Sequence, residues 1–73
     1  MKKERLLKEL KLKCKQKIVE CTDERRLNIY EKIAQIMEVP NAFARISVVT
    51  AINILIDLGY TKEEAKALYP KLI

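Results

Sequence analysis

The sequence predicts an all-α fold, a compact bundle of about four helices over residues 3–21, 23–38, 42–58 and 62–69. Three observations predict it. One glycine and two prolines in 73 residues leave little room for turns. Apolar side chains recur at spacings of three and four over long stretches. Residues that cap or break helices separate those stretches. The length allows one domain, residues 1–73, and the 49% apolar content is ample for a core.

The first element is a basic amphipathic helix within residues 1–21. Leu7, Leu10, Cys14, Ile18 and Cys21 form one stripe at spacings of 3, 4, 4 and 3. Leu6 flanks the stripe, Leu12 and Val19 lie off it, and the opposite face is mostly lysine. Residues 1–17 carry Lys2, Lys3, Arg5, Lys8, Lys11, Lys13, Lys15 and Lys17 against Glu4 and Glu9, a sum of +6. The rest of the chain has seven basic and eight acidic side chains, a sum of −1. A basic segment on a near-neutral domain suits phosphates, an anionic surface or an acidic protein. A solvated lysine face accounts for it equally well.

In the second element Thr22 is placed to cap a helix, with Asp23 and Glu24 in its positive first turn. Leu27, Ile29, Tyr30, Ile33, Ala34, Ile36 and Met37 fill one half of its wheel, and polar residues fill the other. Pro40 breaks the pattern.

Residues 42–58 carry two signals. Ile46, Val48, Thr50, Ile52, Ile54 and Ile56 alternate and are mostly β-branched, as in a strand. Seventeen residues is long for a strand, and no second strand pairs with it. Asn41 as a cap and Gly59 as a C-terminal stop favour a helix. On that helix Ala44, Val48, Val49, Ala51, Ile52, Leu55, Ile56 and Leu58 fill a broad arc that fits the centre of the bundle. Phe43, Ile46 and Ile54 fall on the other side. They form either an exposed stripe for a partner or a face covered by the first helix. The fourth element opens with a capping box, Thr61 with Glu64, ahead of Ala65, Leu68 and Tyr69. Pro70 is expected to end it.

Little in this composition supports catalysis. There is no histidine, one glycine and a single serine, Ser47. A phosphate-binding glycine loop and a serine–histidine pair are therefore excluded, and no cofactor is expected. Cys14 and Cys21 sit about 10.5 Å apart along one helix, too far for a disulfide between them. Two cysteines without histidine make a poor metal site, so both read as small packed hydrophobes. No long apolar run marks a secretory signal or a membrane span, and a cytoplasmic protein is expected.

Residues 42–69 read as a central helix-turn-helix-like pair around Gly59. Glu63 and Glu64 at the start of its second helix suit base readout poorly, because they would meet phosphates. Leu55, Leu58, Gly59, Tyr60, Glu64, Ala65 and Leu68 give residues 51–68 a pattern that resembles the helix–Leu-Gly-Tyr–helix segment of the RuvA C-terminal domain. More loosely, the segment is similar to the ubiquitin-associated fold. The likeness covers about a quarter of the chain. It implies two packed helices around a glycine–aromatic loop, in a module that binds another protein.

Two functional expectations follow. The first is a small non-enzymatic regulatory protein that binds a larger protein through an apolar helical surface, with Phe43, Ile46, Ile54, Gly59 and Tyr60 at the contact. The second is a nucleic-acid-binding protein whose lysine-rich first helix contacts phosphates, including a helix-turn-helix-type regulator. Membrane-surface binding is disfavoured, because the first helix has no Trp or Phe. A homodimer is compatible with the small size and the wide apolar helix.

Overall fold

The computed structural model describes residues 2–73, and among them there are helices and no strands. Five helices follow one another: α1 (Lys2–Glu20), α2 (Glu24–Met37), α3 (Ala42–Arg45), α4 (Val48–Asp57) and α5 (Lys62–Leu72). The all-α expectation holds, with one helix more than the pattern indicated.

The α1 stripe folds as its spacing requires. Leu10 and Cys14 are buried, and Leu6, Leu7, Ile18 and Cys21 pack at the edge of the core. Leu12 and Val19 lie off the stripe and are exposed. The cap of α2 is Asp23 rather than Thr22, its carboxylate accepting from the Arg25 amide at 3.0 Å. Tyr30, Ile33 and Met37 of α2 are buried, while Ile29 is left exposed.

The expected 42–58 helix is broken. Ile46 and Ser47 are both extended, and Ser47 restarts the chain as the cap of α4. Its Oγ accepts from the Thr50 amide at 3.1 Å, and the two hydroxyls meet at 2.8 Å. A serine satisfies an orphan amide at a helix start better than it continues a helix interior. Asn41 does not cap through its side chain. It adopts the left-handed conformation, φ 55°, and turns the chain into α3.

The break rotates the core face. Ala51, Ile54, Leu55 and Leu58 are the buried residues of α4 and its C-cap, about a quarter turn from the arc that an unbroken helix suggested. Phe43, on its own short helix, is only 1% exposed. Ala44, Val48, Val49 and Ile56, expected inside, are exposed.

At the end of α4 the Tyr60 amide donates to the Leu55 carbonyl at 3.1 Å and the Gly59 amide to Ile56 at 3.0 Å. This pair of bonds requires a left-handed residue, and Gly59 supplies it at φ 110°. The Thr61–Glu64 capping box forms in both directions, at 3.0 and 3.1 Å. Pro70 does not end α5, which runs on to Leu72. Leu72 is buried at 1% exposure, and burying a leucine contributes about 1.5–3 kcal/mol, comparable to the cost of a proline in the ladder.

The centre also differs from the expectation. α5, rather than residues 42–58, packs against α1, α3 and α4, while α1 lies along α2. One continuous core results, from Leu10 and Cys14 through Phe43 and Leu55 to Ala65 and Leu72.

Candidate nucleic-acid interface

Core packing fixes which way α1 points its charges. With Leu10 and Cys14 held inside, the eight basic side chains of this helix fall into three groups.

Lys3, Lys13 and Lys17 lie along the flanks, Lys3 and Lys17 half-buried and Lys13 exposed. Lys3 Nζ donates to Asn41 Oδ1 at 3.2 Å and ties α1 to the turn before α3. Lys13 Nζ lies 4.0 Å from the centre of the Tyr60 ring, a cation–π contact. A Cβ placed on Gly59 would sit 3.9 Å from Lys17 Nζ. Lys3 and Lys13 thus make contacts from α1 to other parts of the molecule. Lys13 also helps hold Glu64 ionised. The carboxyl lies below the usual glutamate range, first because it accepts from the Thr61 backbone and side chain and then because of the Lys13 charge.

Lys8, Lys11 and Lys15 line a groove between α1 and α2 of about 340 Å³. Leu12, Cys14, Ala34 and Met37 give the groove apolar walls, and Glu38 is its acidic residue. The three lysines are exposed. Lys2 and Arg5 are exposed at the start of the helix. From Arg5 to Lys15 the helix rises about 15 Å. That length matches roughly four phosphates along one strand of a duplex. Glu4, four residues before Lys8, and Glu9, four residues after Arg5, are exposed acidic neighbours that temper this surface.

The residues expected to bind a protein partner are not gathered on a free surface. Phe43 and Ile54 are core residues, and Ile46 is half-buried against the core. The stripe is covered rather than exposed, but the helix packed against both α3 and α4 is α5, not the first helix. Gly59 is exposed, but Tyr60 is half-buried with Lys13 over its ring.

The cysteines are accounted for by packing. Cys14 Sγ donates to the Tyr30 carbonyl at 3.2 Å, and burial pushes its thiol pKa up. It therefore stays protonated, a poor nucleophile and a poor ligand. Cys21 Sγ donates to the Asp23 carbonyl at 3.1 Å. Among the described residues no group of three His, Cys, Asp or Glu is placed to hold a metal. Among those residues, too, no helix is long and apolar enough to cross a membrane.

No family model, curated protein or solved structure matches this chain.

The surface that sequence reasoning missed is on α4. Val48, Val49 and Ile56 are exposed and Ile52 is half-buried, so the four make an apolar strip along one side. Ile29 of α2 shares a depression with Ile56, beside Arg26, Tyr30 and Asp57. The signal was present as Ser47 with Thr50 three positions on, a helix start inside what reads as one long helix.

Proposed function

We propose that this protein binds nucleic acid through the phosphates, using the outward face of α1, without reading bases. One observation carries the reading. Lys8, Lys11 and Lys15, with Lys2 and Arg5, are exposed along one helix, whereas Lys3 is hydrogen-bonded to Asn41, Lys13 lies over the Tyr60 ring and Lys17 is half-buried. A row of mostly basic side chains with few internal partners is suited to displacing counterions from a polyanion. Base readout is not part of the proposal. The helix after Gly59 begins Lys62, Glu63 and Glu64, and Glu64 is engaged by Thr61. Stacking on single strands has little support, because Phe43 and Tyr30 are buried and Tyr60 lies under Lys13. The proposal involves no catalysis.

Fluorescence anisotropy with a labelled random-sequence duplex at two salt concentrations tests this. Binding at low salt that falls steeply at high salt is expected. Absence of binding at low salt contradicts the reading and leaves the lysines as a solvated face.

A second reading, binding of a protein through an apolar helical surface, draws its support from Val48, Val49, Ile52 and Ile56 rather than from Phe43.

A further inference from the structure

We infer that the exposed strip of α4 is covered by the α4 strip of a second copy of this chain, in a two-fold homodimer. The inference develops the second reading above and does not depend on the nucleic-acid proposal.

The strip is apolar where it should be wet. Val49 is 69% exposed and Val48 50%, and Ile56 and Ile29 are exposed next to each other. Nothing in the packing of one chain requires this, since α4 already buries Ala51, Ile54 and Leu55 against the core.

Total surface points the same way. A monomeric protein of 8.5 kDa exposes about 4,650 Å². This chain exposes 5515 Å². The excess, roughly 850 Å² over the whole chain, leaves surface to spare for an interface in which each partner contributes about 800 Å². A splayed helix does not explain it. The radius of gyration, 11.5 Å, matches the roughly 11 Å of a compact chain of this length.

Charge selects the occupant. In a two-fold interface each patch meets its own copy, so a charged patch repels itself. The lysine face of α1 is therefore unsuited to self-association. α4 carries one charged side chain, Asp57, and the strip Val48, Val49, Ile52, Ile56 carries none. An uncharged, β-branched strip can pack on itself without burying a charge.

Sedimentation equilibrium on the full chain tests the inference, with Val49→Glu and Leu12→Glu as variants. Both positions are exposed, and only Val49 is on the strip. The wild type is expected at twice the chain mass. Val49→Glu is expected at the single-chain mass with an unchanged helical circular dichroism spectrum, and Leu12→Glu as a dimer. Association should tighten as salt screens the +5 charge of each chain, opposite to the trend for nucleic-acid binding. A monomeric wild type overturns the inference, as does a Val49→Glu variant that stays dimeric. A monomeric wild type that co-sediments with neutral phosphatidylcholine vesicles through Val49 also overturns it and makes the strip a membrane contact.

Discussion

Glu64 shows how one residue serves both a helix and its neighbour. Its carboxylate accepts from the Thr61 amide while its own amide donates to Thr61 Oγ1, so two orphan donors of α5 are satisfied. Hydrogen bonds from the Thr61 backbone and side chain to the carboxylate lower its pKa, and the Lys13 charge adds to this. The sign of the pH effect follows from that depression. The contribution is present above the ordinary glutamate value and is lost as pH falls through the lowered folded value. Urea midpoints measured from neutral to acid pH should therefore decline across that range. Glu64→Gln keeps an acceptor but cannot titrate, so its decline should be shallower. An identical decline would show that the carboxylate makes no contribution in that range. Both members of this pair were legible in the sequence, because a capping box is a local pattern. The contact of Lys13 with Tyr60 was not, because nothing local links residues 47 positions apart.

The helices divide by how local their instructions are. α1, α2 and α5 follow apolar spacing and capping residues, and their limits fall within a few residues of those expected. Residues 42–58 do not, since a run of Ile, Val and Ala reads as apolar on most faces. Its true register depends on a break at Ile46–Ser47, and only there does Ile54 turn inward and Val49 outward. Ser47→Ala tests that break. Losing the Thr50 cap should cost about 1 kcal/mol, read from urea unfolding. A variant that gains stability and helical signal would mean that residues 42–58 prefer one continuous helix. Pro70 failed as a stop for a related reason. Burial of Leu72 is a tertiary effect, and the sequence around Pro70 carries no sign of it.

At the scale of the whole molecule, the core assigns work to the surface. It buries Phe43 and Ile54, which removes the expected docking stripe, and it leaves an uncharged strip on α4 and a lysine face on α1. The basic face was legible as a charge sum. Which of its lysines contact other elements depended on the placement of Asn41 and Tyr60, which only the fold brings to α1. The two surfaces differ in chemistry and should respond to salt in opposite directions.

In the proposed function the outward lysines of α1, and not its lysines in general, contact phosphates. The salt dependence of duplex binding tests it most directly, measured for two triple variants of equal charge. Lys8, Lys11 and Lys15 to Gln should reduce the slope of log affinity against log salt by up to about 2.7, at roughly 0.9 per lost phosphate contact. Lys3, Lys13 and Lys17 to Gln should leave most of that slope in place. Equal losses from the two variants would contradict the claim and assign binding to net charge alone.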